Sequence, residues 1–219
     1  LDLDAEPQQI DTALAGMPGR TQPGVRVPSG LDGFEIAVRV ILGQQVTLAA
    51  ARTLTRRLVL RFGAPIETPW PELDRLFPTA QAVAAAKPHE IGELGVVRQR
   101  VRALQALAAE VAAGRLQLHR AAPLEPTLAS LQALPGIGPW SAQLIAMRAL
   151  AWPDAWPASD IGVLQALDTR DPREATARAE PWRPWRAYAV MRLWLPSTDT
   201  AAAAPTAPAA DPEPTVIRS

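Results

Sequence analysis

Apolar residues recur near the start of the chain at the spacing of an amphipathic helix. The stripe i, i+3, i+4, i+7, i+8 is formed by Phe34, Ala37, Val38, Ile41 and Leu42. Gly43 interrupts it. After the segment GQQVT at 43–47, a second stretch carries Leu54, Leu58 and Phe62 before Gly63 and nearby prolines stop it. The pattern predicts two helices joined by a short break.

The rest of the chain continues in the same way. Residues 79–86 are rich in alanine, and 97–113 have helical apolar spacing up to Gly114. Further helices are predicted at 126–133, 139–150, 161–168, 172–179 and 185–195. Because no segment alternates apolar and polar residues in the manner of a β-strand, we predict an all-α fold.

The two ends differ from this helical middle. Residues 17–30 are dense in proline and glycine, which predicts an extended lead-in. We interpret 1–24 as a linker or the remnant of an upstream domain, 25–196 as the core, and the Ala/Pro-rich tail 197–219 as disordered. The chain begins with leucine rather than methionine, so we expect it to be part of a longer protein.

Composition removes several classes of chemistry. The chain has no cysteine, which excludes disulfides, a thiolate nucleophile and a cysteine-ligated zinc or iron–sulfur site within it. Neither His89 nor His119 stands at metal-ligand spacing from carboxylates. There is no apolar run of about 18 residues and no secretory signal pattern, so we expect no membrane partner and a cytoplasmic location.

Charge is distributed unevenly although the formal total is zero. Residues 1–24 and 197–219 together hold seven of the acids and two of the bases, which leaves 15 acids and 20 bases in 25–196. The predicted core therefore carries a net positive charge, which suits a partner such as a polyanion.

The sharpest local signal is LQALPGIGPWSAQLIAMRAL at 131–150. A Pro-Gly-Ile-Gly turn joins two helices, and its glycines allow a tight turn close to a ligand. Pro139 opens the second helix, where a missing N–H costs nothing. The N–H groups of the turn and the first helical residues then form an anion-binding nest. This resembles the helix-hairpin-helix motif, which grips a DNA phosphate without reading sequence; the alternative is an ordinary corner between two helices.

An aspartate follows the hairpin by about 20 residues. In WPASDIGVLQAL at 156–167, Asp160 stands at the start of a predicted helix, where the helix dipole and unpaired N–H groups favour a carboxylate. A plain N-cap by Ser159 or Asp160 is the alternative interpretation, and it is compatible with a catalytic role.

Four segments in order resemble DNA-3-methyladenine glycosylase II of the helix-hairpin-helix glycosylase superfamily. They are LDGFEIAVRVILGQQVT, LPGIGPWSA, PASD and PWRPWRAYAVMRLW, spread over roughly 25–195. The resemblance implies a helix-hairpin-helix DNA glycosylase fold of two helical subdomains with the active-site cleft between them. It also implies a monofunctional base-excision repair enzyme that flips alkylated bases and hydrolyses the N-glycosidic bond, with Asp160 as the catalytic residue.

The resemblance assigns further residues by position. Trp140, Trp194 and Gln44 are expected in the base pocket, where Leu144 replaces a family aromatic. DNA contacts are expected at the hairpin, chiefly from backbone N–H groups, at Gly136, Ile137, Gly138 and Ser141. Gln45 stands in the place of the apolar wedge that fills the gap left by the flipped base. A monovalent cation would be held by the backbone carbonyls of Gln132, Leu134 and Ile137.

Two further expectations concern mechanism and partners. Bifunctional superfamily members carry a lysine where this chain has Trp140, so we expect no lyase step. No other cofactor and no iron–sulfur cluster are expected, and the partner would be damaged double-stranded DNA, bound by a monomer at the bacterial nucleoid. The alternatives are a non-catalytic helix-hairpin-helix module of a repair complex, or a glycosylase for mismatched or oxidised bases.

Overall fold

A computed structural model describes residues 2–18 and 22–195 of the protein. Eleven α-helices are present in this part of the chain: α1 Pro7–Ala13, α2 Gly33–Leu42, α3 Leu48–Phe62, α4 Ala80–Ala85, α5 Pro88–Gly92, α6 Arg98–Ala112, α7 Leu124–Ala133, α8 Pro139–Arg148, α9 Ile161–Ala166, α10 Pro172–Ala179 and α11 Arg186–Leu193. The same residues contain no strand beyond one isolated antiparallel bridge, between Pro65 and Arg75. The all-α prediction is confirmed. The predicted disordered tail at 197–219 lies outside the described residues.

The break between the first two core helices is set by capping. Helix α2 ends at Leu42, and α3 starts after Thr47, whose hydroxyl accepts a hydrogen bond from the Ala50 N–H at 3.2 Å. A side chain that satisfies an unpaired N–H fixes where a helix begins. The segment 43–47 therefore forms a turn, as the sequence pattern predicted.

Two separate hydrophobic cores define two subdomains. The first is built from α2 to α8, with fully buried residues such as Ile41, Leu58 and Leu104. The second is built from α1, α9, α10 and α11, and it includes Met147 from α8. Leu144 of α8 and Trp152 in the following loop pack against both cores. Helix α8 therefore joins the subdomains, and the predicted two-subdomain arrangement is confirmed.

The N-terminal segment belongs to the second subdomain. Ile10 and Leu14 are buried in its core, Asp11 forms an ion pair with Arg192 of α11, and the Tyr188 hydroxyl donates to Asp2 at 2.9 Å. Burial raises the pKa of Tyr188, and the hydrogen bond to the Asp2 carboxylate raises it further. The sequence did not indicate this packing, because α1 is too short for a recognisable apolar stripe; the interpretation of 1–24 as a linker or the remnant of an upstream domain stays a prediction.

Helix bounds differ from the predictions in small ways. Helix α5 was not predicted, because five residues are too few for a helical apolar pattern. It begins at Pro88, and the Glu90 carboxylate accepts a hydrogen bond from the Lys87 N–H at 2.9 Å. The predicted helices at 139–150, 161–168 and 185–195 each end two residues early, within the ordinary fraying of helix ends.

A helix-capping carboxylate between the two subdomains

Asp160 is the N-cap of helix α9. Its Oδ1 accepts a hydrogen bond from the backbone N–H of Val163 at 3.1 Å, while Ser159 makes no such cap. This settles the local alternative in favour of Asp160. The side chain is half-buried at the end of the loop 149–160, which leads from α8 to α9.

Two tryptophans point their polar edges at this carboxylate. Trp140 Nε1 donates to Oδ2 at 3.0 Å, and Trp194 Nε1 donates to Oδ1 at 2.8 Å. Trp140 packs against the first core and Trp194 against the second. Asp160 is therefore held where the subdomains meet. The two indole N–H groups and the Val163 N–H are three donors that suit an ionised carboxylate, because such a group only accepts hydrogen bonds.

A glycine makes room for one of these contacts. A Cβ at Gly162 would stand 2.9 Å from Cδ1 of Trp194 and 3.2 Å from Oδ1 of Asp160. Any larger residue would therefore displace the indole or the carboxylate. The positively charged guanidinium of Arg148 lies over the Trp194 ring, with its carbon 5.7 Å from the ring centroid.

The loop that carries Asp160 is anchored by a buried ion pair. Nε and Nη2 of Arg186 donate to the two carboxylate oxygens of Asp154 at 2.7 and 2.8 Å, and both residues are buried. Arg183 also pairs with Asp154. The N–H of Trp156 donates to Gln143 of α8 at 2.8 Å. These contacts fix the path of the chain from α8 to Asp160.

The hairpin has the predicted geometry. Gly136 has φ of +79°, a conformation that L side chains rarely adopt, and Pro139 occupies the first position of α8. Ile137 is buried in the first core, and its N–H donates to the Leu134 carbonyl at 3.2 Å. The Leu134 oxygen keeps a second lone pair, and the Gln132 carbonyl belongs to the last turn of α7, where carbonyls lack helical partners.

A cavity of about 460 Å³ lies beside Trp140. Its walls include Pro139, Gln143, Trp156, Ser159 and Thr176. Trp140 thus contributes to the cavity wall while its edge contacts Asp160. The other residues expected in the base pocket, Trp194, Gln44 and Leu144, do not line this cavity.

The model of one protein family matches residues 38–184, which span the break, the hairpin and Asp160; its description is "HhH-GPD superfamily base excision DNA repair protein". The chain belongs to the HhH-GPD superfamily. It is 40% identical over 204 residues to a "Probable bifunctional transcriptional activator/DNA repair enzyme AlkA" of Mycobacterium tuberculosis, covering 89% of this chain and 40% of that protein. It is 37% identical to "DNA-3-methyladenine glycosylase 2" of Escherichia coli, covering 88% of this chain and 67% of that protein.

Solved structures agree with the superfamily fold. The 3-methyladenine DNA-glycosylase of Archaeoglobus fulgidus superimposes with a TM-score of 0.66 at 23% identity, over 85% of this chain and 63% of that one. A Schizosaccharomyces pombe 3-methyladenine DNA glycosylase, Mag1, in complex with abasic DNA gives a TM-score of 0.62 at 18% identity, over 85% of this chain and 95% of that one.

Two predicted residues of this HhH-GPD chain have structural partners that the sequence did not indicate. Gln44 Nε2 donates to the Gly136 carbonyl at 2.9 Å and to the Ser141 hydroxyl at 2.8 Å, so its amide ties the α2–α3 break to the hairpin, and its place in a base pocket stays a prediction. Ser141 is buried and its hydroxyl accepts this bond, while its N–H lies in the first turn of α8; the expected DNA contact of Ser141 stays a prediction. Gln45 is exposed at the tip of the break with φ of +52°.

Sequence reasoning missed Gly162, Arg148 and the Asp154–Arg186 pair of this HhH-GPD chain. Gly162 follows Asp160 by two positions, and a glycine inside a predicted helix is the one signal that could have found it. The other residues act through contacts between distant segments, for which the sequence carries no local signal.

Proposed function

We propose that this HhH-GPD protein is a monofunctional DNA glycosylase of base-excision repair. It flips alkylated bases such as 3-methyladenine and 7-methylguanine out of duplex DNA and hydrolyses their N-glycosidic bond. The observation that carries the proposal is the Asp160 carboxylate, held by three N–H donors between the two subdomains and close in the fold to a helix-hairpin-helix turn.

The proposed chemistry needs an anion at this position. When the bond between the base nitrogen and C1′ breaks, the base leaves with the bonding electrons and positive charge develops on the sugar. Asp160 stabilises that charge, orients the water that adds to C1′ and accepts the proton that this water loses. The indole donors keep the carboxylate in place without supplying a competing positive charge next to the sugar.

Trp140 provides a surface for the flipped base. Trp140 lines the cavity and its Nε1 holds Asp160, which is not itself a lining residue; the proposed base stacks on Trp140 and reaches the carboxylate past the indole edge. An alkylated purine carries positive charge, which an electron-rich indole face attracts. Alkylation also weakens the glycosidic bond, so one aromatic surface accepts several lesions.

The hairpin would hold the DNA backbone. The N–H groups of Gly136, Gly138 and the first turn of α8 face one phosphate, while the carbonyls of Gln132, Leu134 and Ile137 would hold a monovalent cation that neutralises it. Gln45, exposed at the break, would enter the gap left by the flipped base and hydrogen-bond to the orphaned partner. The protein would act as a monomer in the cytoplasm, where bacterial DNA lies.

A second phosphate contact is expected from the start of α6. A Cβ at Gly136 would stand 3.2 Å from Cβ of Ala103 and 3.6 Å from the Gln99 carbonyl, so the first turns of α6 lie against the hairpin. Arg98 and Arg102 each precede by one position the two α6 residues next to the hairpin, Gln99 and Ala103. Both are exposed, and neither has a hydrogen-bond or ion-pair partner among residues 2–18 and 22–195. The first acid of α6 comes only at Glu110.

Neutralising Arg98 and Arg102 together is expected to weaken binding to any duplex about tenfold at 100 mM salt and to reduce the slope of log K against log[salt] by about 2. The excision rate at saturating DNA stays the same. Arg115→Gln is the matched control, since Arg115 pairs with Glu110 near the far end of α6. An unchanged salt slope in the double variant would show that these arginines do not contact phosphates.

Release of free 3-methyladenine from methylated duplex DNA tests the proposed function. The chain is expected to release it and to leave the abasic strand uncut, and borohydride is expected to trap no protein–DNA adduct, because Trp140 stands in the place of a Schiff-base lysine. DNA binding without release would instead indicate a non-catalytic module. Release of oxidised bases alone would indicate a different lesion class.

A further inference from the structure

Arg148 is a partly buried cation next to Trp194, one of the two tryptophans that hold Asp160. It is half-buried at the last position of α8, with its guanidinium carbon 5.7 Å from the Trp194 ring centroid. Within the described residues its one hydrogen bond is long, from Nη1 to the Pro28 carbonyl at 3.5 Å. Within the described part of the chain, no carboxylate pairs with it.

A guanidinium without a counterion is costly to bury. Desolvation lowers the pKa of Arg148, and no opposing charge offsets this effect. Arginine nevertheless stays charged at neutral pH. Its contact with the indole face is therefore the main compensation that the described residues provide, together with the carbonyl end of α8.

The ring that Arg148 contacts is one of the two that hold the carboxylate. Trp194 Nε1 donates to Asp160 at 2.8 Å, and Gly162 leaves just enough room for this edge. A cation over an aromatic face draws electron density from the ring, and this makes the indole N–H a stronger donor. Arg148 therefore lies over the face of the indole whose N–H, at the ring edge, donates to Asp160, and its charge acts on that hydrogen bond through the ring.

We propose that Arg148 is a positioning residue for catalysis, which acts through the Trp194 indole to hold Asp160 in its orientation. The proposal rests on the glycosylase function proposed above. It also assigns different tasks to the two tryptophans: Trp140 serves base and carboxylate together, while Trp194 transmits the effect of a buried cation. Arg148 contacts the indole face and the indole N–H contacts the carboxylate, so the arginine acts on Asp160 through the ring.

The first test needs no DNA. The seven tryptophans give seven indole N–H resonances in a ¹⁵N correlation spectrum, and Trp140→Phe and Trp194→Phe assign the two that matter. In Arg148→Met, the Trp194 resonance is expected to move upfield as its hydrogen bond weakens, while that of Trp140 stays in place. Arg148→Lys keeps the cation and restores most of the shift. A folded Arg148→Met protein with an unmoved Trp194 resonance would overturn the proposal.

The second test is kinetic. Arg148→Met is expected to lower the single-turnover excision rate about tenfold with DNA affinity changed less than twofold, and Arg148→Lys to recover most of the rate. In a Trp194→Phe background the same substitution should have no further effect. Arg61→Met is the control, because Arg61 also lies over a ring, that of Phe62, at the far end of α3. Additive effects of Arg148→Met and Trp194→Phe would overturn the proposal.

The two tests separate this proposal from the function on which it rests. If the wild-type chain excises no base, the glycosylase proposal fails while the resonance of Trp194 still reports whether Arg148 acts on the indole. If Arg148→Met does not fold, as a lost thermal transition would reveal, Arg148→Gln, which also removes the cation, replaces it in both tests and is judged by the same criteria.

Discussion

Asp160→Asn is expected to lower the single-turnover rate of base excision about a thousandfold while DNA affinity changes less than threefold. The substitution removes the negative charge that faces the developing positive charge on the sugar, and losses of about 10²–10⁴ are typical for groups of this kind. The phosphate contacts proposed for the hairpin lie on other residues. The measurement is release of 3-methyladenine from a saturated complex, with affinity determined separately.

The structure shows that asparagine is not a neutral copy of Asp160. With the amide oxygen at Oδ1, where Trp194 and Val163 donate, the NH₂ group would face the Trp140 indole N–H at Oδ2, so two donors would oppose each other. Part of the loss could then be structural. Trp140→Phe removes this conflict, so Asp160→Asn in the Trp140→Phe background isolates the effect of charge.

Two outcomes decide the role of Asp160. A large loss relative to the Trp140→Phe parent, with a normal thermal transition, assigns catalysis to the charge itself. A rate within tenfold of that parent would contradict the proposed role and leave Asp160 as a helix cap. The backbone N–H of Val163 supplies an internal check, since the cap bond is kept in either case.

Asp154→Ala is expected to destabilise the fold by about 3–5 kcal/mol, because it leaves the buried Arg186 guanidinium without its partner. For a chain of this size the melting temperature should fall by about 10 °C. Urea or thermal unfolding measures the change. Excision should fall with it, since Asp154 anchors the loop that ends at Asp160.

A double variant shows how much of the stability lost in Asp154→Ala comes from leaving the Arg186 charge buried without a partner, rather than from losing the ion pair itself. Asp154→Leu combined with Arg186→Met replaces the ion pair by apolar side chains, and it should recover much of the stability that Asp154→Ala loses. Glu110→Gln breaks an exposed pair with Arg115 and should leave the stability nearly unchanged. If Asp154→Ala costs no more than this exposed control, the pair does not anchor the loop.

Local physics explains what could be predicted from the sequence. The α2–α3 break follows from a helical apolar stripe that stops at Gly43 and from a Thr47 cap, both properties of neighbouring residues. The hairpin follows from the conformational freedom of Gly136 and the fixed φ of Pro139. A cap at the start of α9 was predicted for the same reason, but one helical turn left Ser159 and Asp160 open, and it was the family resemblance that singled out Asp160.

Contacts between segments could not be predicted in this way. Helix α1 offers too few apolar positions for a pattern, and only the face presented by α11 decides that Ile10 and Leu14 are core. Gln44 was expected in the pocket because its position matches the family, yet its rotamer is decided by two acceptors nearly a hundred residues away.

The sequence by itself determined the helical class, the break, the hairpin and the carboxylate, because each depends on a few consecutive residues and on helical periodicity. Only the tertiary structure decided what surrounds that carboxylate. Two indoles from different subdomains, a glycine that admits one of them and an arginine behind its ring meet at Asp160. Their arrangement depends on how two cores pack across α8, and no spacing along the chain records that packing.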